Sequence, residues 1–482
     1  MHDSIAFKGG SLSLCARRFL AALIPLALGI PALAQSSQES SIAARSATEM
    51  PALTINRTPV PRMGARSPTA SPYFDPQQGA SSADLVRRAL AANGELAAAR
   101  LDATRARAHL RQAGLRPNPT IDFELTTGRL IGSAGESETS IGVGVPLKLG
   151  GKRRRRVKLA QAELEAVEAE ISDRERRLTG DVRVLYAEPL ASLRELEMTE
   201  GLTNIDLKTV VVVQARVNEG DTAPIELNQL RVEVDRLRSR RALVEGRLRS
   251  ALIRLKNLAG IPPAEALQLR EDIATPALPP PPASQEAAIE IALRTRPDLR
   301  LARLTEEVAQ AGLRLARAQG TPDVTAFSRY TLSRSVFDDT PVGVLTDKDR
   351  LLTFGVSVGI PVFNKNQGAK AEAAVAISQA QARREFLEAV VRADVESAYA
   401  RYEAAQAAVM SFEVGVINRS NDNIRTIRAA YEIGAFKITD LLVEQRRLVD
   451  SQREFTEALA EKYRALIDLQ AAIGTAVEPQ QQ

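Results

Sequence analysis

Residues 88–114 read RALAANGELAAARLDATRARAHLRQAG, and residues 291–320 read IALRTRPDLRLARLTEEVAQAGLRLARAQG. In register, Leu96, Ala99, Arg100, Leu101, Ala108, Leu110 and Arg111 meet Leu299, Ala302, Arg303, Leu304, Ala311, Leu313 and Arg314. The correspondence continues downstream. Ile141-Gly-Val-Gly-Val-Pro-Leu147 answers Val356-Ser-Val-Gly-Ile-Pro-Val362, Asp181-Val182 with Tyr186 answers Asp394-Val395 with Tyr399, and Ala259-Gly260 answers Ile473-Gly474. Two copies of one long unit therefore fill the chain. The unit is too long for a solenoid or propeller repeat, so the copies are halves of a duplicated domain, expected to pack as pseudo-symmetric equivalents.

Inside the first copy, the spacing predicts a helix over roughly Ser82 to Leu115, stopped by Pro117 and Pro119 because a residue before proline is pushed out of the helical region. Two stretches of strand periodicity follow. Ile121-Asp-Phe-Glu-Leu125 alternates apolar with charged residues, and Ile141-Gly-Val-Gly-Val145 alternates apolar residues with glycine. A polar turn from Gly128 to Glu138 joins them, and Pro146 is expected to close the hairpin. From about Lys152 to Val217 a helix of on the order of 100 Å is expected, kinked at Pro189. Asn218-Glu-Gly-Asp221 turns the chain into a return helix. There Leu227, Leu230, Val234, Leu237, Val244, Leu248, Leu255 and Leu258 keep the alternating three and four spacing of a coiled coil, with Arg241 and Ala251 as interruptions.

The second copy repeats this plan. A helix is expected from about Ser284 to Ala318, strands near Val324 to Leu332 and Leu351 to Val362, and a long helix from about Gly368 to Tyr431. Glu432-Ile-Gly-Ala435 is the turn, and Leu441, Leu448, Phe455 and Leu469 mark the return helix at seven-residue steps. Leu352, Phe354, Val356, Val358 and Ile360 form one apolar face opposite Thr353, Gly355, Ser357 and Gly359. Such a stripe needs an apolar medium to face.

The flanks define the remaining segments. Arg17 and Arg18 precede an apolar run from Phe19 to Ile30, and Ala32-Leu33-Ala34 supplies a cleavage site, so residues 1–34 read as a signal peptide. Residues 35–80, rich in Ser, Pro, Ala and Gln, read as a flexible arm, 81–261 and 284–475 as the two repeats, 262–283 as a Pro-rich linker and 476–482 as a flexible tail. Cys15 is the one cysteine and precedes the cut, which excludes disulfides and thiolate metal sites in the mature chain. Aromatics are 4% and Trp is absent, a usage typical of long helices, while a net charge of +5 from interspersed signs points to no nucleic-acid partner. With two histidines, no mature thiol and neither a nucleophile elbow nor a phosphate loop, no catalytic constellation or cofactor site is legible.

Four strands cannot close on themselves. If their apolar face meets lipid, open edges leave backbone groups unpaired, so several chains must join, and three supply a barrel of about twelve strands. The alternative is a soluble periplasmic coiled-coil scaffold with a small β domain, which has no need of a duplicated strand pair bounded by prolines.

The order of signal peptide, helix, proline, two strands, proline, long helix, glycine turn and return helix, all duplicated, resembles the TolC-like outer membrane factors of tripartite efflux systems. Two segments resemble the cobalt-zinc-cadmium resistance branch: Val145-Pro-Leu-Lys-Leu-Gly-Gly-Lys-Arg153 and Gly359-Ile-Pro-Val-Phe-Asn-Lys-Asn-Gln-Gly368. The resemblance implies a homotrimer with a 12-stranded barrel in the outer membrane and an α-helical tunnel through the periplasm. It further implies docking on a periplasmic membrane fusion protein and an inner-membrane RND pump, with heavy-metal cations as cargo, or alternatively drugs and other small molecules.

The same resemblance places an acidic periplasmic aperture on Tyr431-Glu-Ile-Gly-Ala-Phe-Lys-Ile-Thr-Asp440, with Tyr431 and Asp440 as its aromatic and acidic members. The family's second acid falls on Val443, with Glu444 one step away, and Glu226 is the repeat-one equivalent of Asp440. Without the resemblance, Asp440 reads as a first-turn acid stabilised by the helix dipole. Gly220 and Gly434 are the expected helix-turn tips that meet the fusion protein, and Pro119, Pro146, Pro322 and Pro361 the expected barrel-to-helix junctions. Lys152 to Lys158 holds six basic residues in seven, read as a solvated helix start or a patch beneath the barrel that meets anionic groups at the membrane.

Overall fold

The computed structural model describes residues 71–128, 135–337, 343 and 345–474; the signal peptide, most of the arm, the hairpin tips and the C-terminal tail lie outside the described residues. Repeat one comprises α1 (Ser82–Ala92), α2 (Gly94–Ala113), β1 (Thr120–Thr127), β2 (Ser137–Leu147), α3 (Lys152–Asn218) and α4 (Pro224–Leu258). Repeat two comprises α5 (Gln285–Thr295), α6 (Pro297–Gln319), β3 (Val324–Phe337), β4 (Leu345–Val358), α7 (Gln367–Ser411), α8 (Ile417–Glu432) and α9 (Ile438–Ile473).

In each repeat the first expected helix is two helices. Asn93 breaks the first pair, with extended backbone and a side chain that accepts from the Leu96 amide, 3.0 Å. In the second pair Pro297 starts α6, and Arg296 before it is extended as its neighbour requires. Both breaks are bridged alike, by Arg100 donating to the Leu90 carbonyl and Arg303 to the Leu293 carbonyl, each at 3.0 Å. Each break also receives the end of a return helix. A Cβ on Gly260 would lie 2.6 Å from that of Ala92, and one on Gly474 would lie 3.2 Å from the Arg296 Cα.

The long helices differ between the repeats. α3 runs 67 residues and continues unbroken through Pro189. Its counterpart is split: α7 passes through a π-helical turn, Phe412–Val416, into α8. The stretch from Tyr399 to Gly434 is one residue longer than the matched stretch from Tyr186 to Gly220. A π turn holds one more residue than an α turn, so it absorbs that residue.

The heptad positions of the return helices are the core. Leu227, Leu230, Val234, Leu237, Val244, Leu248 and Leu255 of α4, and Leu441, Leu448, Phe455 and Leu469 of α9, are all buried. Around the waist, α1, α3, α4 and α9 share a core with Phe74, Ile261, Leu269 and Ile273. Part of the expected flexible arm belongs to it. The Asp75 amide donates to Leu269 and the Ala80 amide to Gln268, at 2.9 and 2.8 Å, while Tyr186 holds the Ala80 carbonyl at 2.9 Å. Residues 72–80 are thus fastened by the linker that was expected only to separate the repeats.

The four strands form one antiparallel sheet in the order β1-β2-β3-β4, with β2 and β3 joining the two repeats. Above the waist, α2, α3, α6 and α7 pack as consecutive neighbours beneath it. Pro119 and Pro322 precede β1 and β3, and Pro361 follows β4. Pro146 does not end the hairpin ahead of the helix: it is still paired, opposite Thr325, one residue before β2 stops. β1 begins opposite Gly144, so at Pro146 β2 has a partner on the β3 side alone and is locally an edge, where a strand tolerates proline.

Candidate functional site: strand wall and helical tip

Register sorts the sheet into two chemistries. One face carries the rows Phe123, Ile141, Tyr330, Leu352 and Ile121, Val143, Ser328, Phe354. Phe123 is 70% exposed and Phe354 75%, an exposure of large apolar groups that water would penalise and lipid would not. The opposite face carries Asp122, Gly142, Arg329, Thr353 and Glu124, Ser140, Thr331, Leu351. Arg329 of β3 reaches over β2 to the Glu124 carboxylate of β1 at 3.1 Å. Among the described residues, the outer edges of β1 and β4 have no partner strand. An apolar outside, a polar inside and two open edges are what a segment of a membrane barrel wall requires. Among the described residues no helix is long and apolar enough to cross a membrane.

Beneath the wall, the basic run forms specific attachments. Lys152 and Lys148 pair with Asp323 at 2.8 and 2.9 Å. Arg153 donates to the Gly114 carbonyl and Arg156 to those of Ala113 and Leu115, so the start of α3 staples the end of α2.

At the far end, Gly220 and Gly434 turn the chain with φ of +79° and +78°, where a side chain would be strained, and nothing packs within 4 Å of a Cβ on either. Behind these turns one apolar cluster unites both repeats: Val213, Leu227, Leu230, Ile424, Tyr431, Ile438, Leu441, Leu442 and Leu448. Tyr431 lies in that cluster with its hydroxyl buried and, among the described residues, without a hydrogen-bond partner. Burial holds the phenol above its usual range, and the nearby Glu226 carboxylate adds to this while Arg216 opposes it. The structure therefore brings Tyr431 and Glu226 together from different repeats.

Asp440 is exposed, and its carboxylate folds back onto the Lys437 amide at 3.1 Å, closing the first turn of α9. Glu444 is placed otherwise. It is buried, accepts from Asn423 at 3.1 Å and pairs with Arg447 at 3.2 Å, so it looks into the seam between α8 and α9. Val443 beside it is exposed.

One element of the tip was not legible in sequence. Asp206 of α3 is 2% exposed, with one oxygen accepting from Gln445 of α9 at 2.7 Å and the other without a partner among the described residues. Burial pushes its carboxyl up to about 6, lowered in part by the Gln445 hydrogen bond, raised by Glu233 of α4 and lowered by Arg428 of α8. Glu233 is itself held by Arg446 at 2.9 Å. Four helices thus meet at one buried polar node, whose members stand on unremarkable helix positions far apart in sequence.

A duplicated helical body carrying one narrow strand wall, apolar outside and polar inside, defines a channel protein of the bacterial outer membrane. Residues 85–261 and 288–475 match the outer membrane efflux protein family, and the chain belongs to it. It is similar to the cobalt-zinc-cadmium resistance protein CzcC of Cupriavidus metallidurans, 23% identical over 389 residues that cover 79% of this chain and 86% of that protein. Among solved structures, it superposes on CusC with a TM-score of 0.65 at 20% identity, covering 82% of this chain and 92% of that one. The outer membrane protein VceC of Vibrio cholerae gives 0.64 at 19% identity, with 82% and 96% covered. The protein is an outer membrane efflux channel that extends into the periplasm, and it is not an enzyme.

Proposed function

We propose that the chain works as a homotrimer, in which three four-stranded walls close one barrel and three helical bodies form a periplasmic tunnel. The two unpaired edges of an outwardly apolar sheet carry this reading, because only neighbouring copies can satisfy them in lipid. Detergent-extracted protein is expected at three times the monomer mass; a stable water-soluble monomer would overturn it.

The duct joins a periplasmic membrane fusion protein, met at the Gly220 and Gly434 turns, and an inner-membrane RND pump, and it exports heavy-metal cations. The likeness to a cobalt-zinc-cadmium resistance protein and the two junction segments support the cargo. A deletion strain should lose tolerance to zinc, cobalt or cadmium; sensitivity confined to organic compounds would assign the duct to those instead.

Asp440, with Glu226 and Tyr431 behind it, narrows the periplasmic end. Three copies of the exposed carboxylate around one axis favour cations and are screened by salt. Asp440→Asn keeps an oxygen for the Lys437 amide, so it removes charge without removing the cap. Alone or with Glu226→Gln, it is expected to weaken cation selectivity and block by multivalent cations in planar bilayers, with assembly intact. Unchanged currents in both variants would leave these acids with capping only.

A further inference from the structure

The basic run at the start of α3 divides into two sets in the fold. Lys152, Arg153 and Arg156 are engaged, the lysine with Asp323 and the arginines with carbonyls at the end of α2. Arg154, Arg155 and Lys158 turn toward α6, where with Arg314 they line a cavity of about 220 Å³ whose other walls are glycine and alanine. Among the described residues none of these four cations has an acidic partner, and no acid lines the cavity. Like charges around one space repel one another unless an anion sits between them. The cavity also lies on the lipid side of the wall. The Gly128 amide donates to the Glu136 carbonyl, so even residues of β2 bond to β1 and odd ones to β3. Seen from the apolar side with the helices above, β1 to β4 therefore run left to right. Since Arg153 and Arg156 occupy the α2 side of the right-handed α3, Arg154, Val157 and Gln161 come to the apolar side of its groove with α6. In the row α2, α3, α6, α7 that groove is internal, so copies joined at the sheet edges leave it uncovered. Above it, the exposed apolar residues Val145, Leu147 and Leu149 descend toward the cations in two-residue steps.

We propose that this cavity binds the phosphate of an anionic phospholipid of the periplasmic leaflet, one per chain, with the acyl chains lying along Val145, Leu147 and Leu149. An amphiphile is matched at both ends, whereas inorganic phosphate would use the cations alone. α3 starts at the cavity without a side-chain cap, so its first amides add to the attraction. Further down the same groove Glu165 and Glu307 join Lys158 and Arg314, which ends the positive stretch and keeps the headgroup at the junction. Repeat two offers no counterpart: α7 opens Gln367-Gly-Ala-Lys370, with one cation where the first four residues of α3 are all basic.

The inference rests on the lipid-facing barrel wall, but a single chain forms the cavity. Native mass spectra of the detergent-extracted protein therefore report oligomer mass and lipid count per chain as separate results, and a failed trimer does not decide the site. The protein is titrated with phosphatidylglycerol or with zwitterionic phosphatidylcholine. One phosphatidylglycerol per chain is expected, held about tenfold or more above phosphatidylcholine. Arg154→Gln with Arg314→Gln, one cation from each repeat, should weaken phosphatidylglycerol about thirtyfold for the two charges together. Arg383→Gln with Arg419→Gln removes the same charge from exposed positions elsewhere and should leave binding unchanged. Equal binding of the two lipids overturns the proposal, as do equal losses in the two double variants, which would mean net charge alone attracts the lipid. Millimolar inorganic phosphate should displace little of the lipid, and full displacement would overturn the lipid assignment in favour of the free ion. If Arg154→Gln with Arg314→Gln does not fold, Arg155→Gln with Lys158→Gln takes its place with the same expected loss.

Discussion

The two repeats close their waists differently. In repeat two, Arg296 is buried in the break between α5 and α6, bonded to Asp298 at 2.6 Å, Asp394 at 3.2 Å and the Ala472 carbonyl at 3.2 Å. The corresponding residue in repeat one is Asn93, which reaches no further than the Leu96 amide. Asp181, the counterpart of Asp394, is left without an arginine from that break. Burial raises its carboxyl above the usual range, opposed only by Arg177. The clefts beside the two breaks reflect this: a cavity of about 530 Å³ includes Asn93 and Asp181, and one of about 420 Å³ includes Arg296 and Asp394. Duplication fixed the backbone break and its arginine bridge in both halves, while the charge chemistry at the break diverged. One repeat is held by an ion cluster around a buried arginine, the other by a helix cap.

The largest test of that difference is Arg296→Met. It strips the half-buried Asp298 of its main partner, and breaking a fully buried pair costs about 3–5 kcal/mol, an upper bound here because Asp394 is half exposed. A clear fall in the thermal midpoint of the detergent-extracted protein is expected, and a near-silent substitution would mean the cluster is not what closes repeat two. Where the repeats are alike they should respond alike. Ile141→Arg and Val356→Arg sit at matched outward positions, and each is expected to cost up to about 2–4 kcal/mol at the bilayer midplane, visible as lost outer membrane yield. Ser357→Arg, on the inward face, should assemble. Equal yields of Val356→Arg and Ser357→Arg would count against the lipid-facing assignment.

Asp206 sharpens the comparison at the tip, because repeat two has Ser420 at the position counted back from the matched tip glycines. Its carboxyl is raised from 3.8 to about 6, so the packed tip binds a proton more tightly than the unfolded chain does. This stabilisation is complete below pH 3.8 and is lost as pH rises through about 6. Asp206→Asn retains an acceptor for Gln445, so it should raise the thermal midpoint at pH 7.5 and leave it nearly unchanged at pH 4. A uniform shift at both would exclude protonation as the cause. The smallest effect is expected for Asn93→Ala, which removes one cap and costs about 1 kcal/mol, well below the loss at Arg296.

Much of this was legible in the residues. Alternation in Ile121–Leu125 and Ile141–Val145 located the first hairpin, and the heptad leucines located the return helices, because both patterns record a single buried face. Strand lengths were underestimated where polar ends such as Thr346 to Arg350 extend β4 without apolar alternation. The helix breaks at Asn93 and Arg296 had local signals, an N-cap residue and a proline at the first helical position, which the continuous Ala and Arg pattern obscured. Asp206 and Gln445 had none. Their contact depends on where four helices cross, and sequence periodicity carries no information about that. Glu444 shows the same limit, since its helical face was readable but the asparagine and arginine waiting for it were not.

The π turn at Phe412–Val416 bears on how such a chain changes length over time. An extra residue in a straight α-helix rotates every later side chain by about 100°, which would carry a long heptad seam off its partner at a stroke. Here one widened turn takes up the extra residue, and Tyr431 still arrives in the same apolar cluster as Leu227. Insertions and deletions are usually exiled to loops. This helix has a place where a single residue can be gained or lost with the tip still facing inward, so the two halves of the tunnel wall are free to drift in length while continuing to meet end to end.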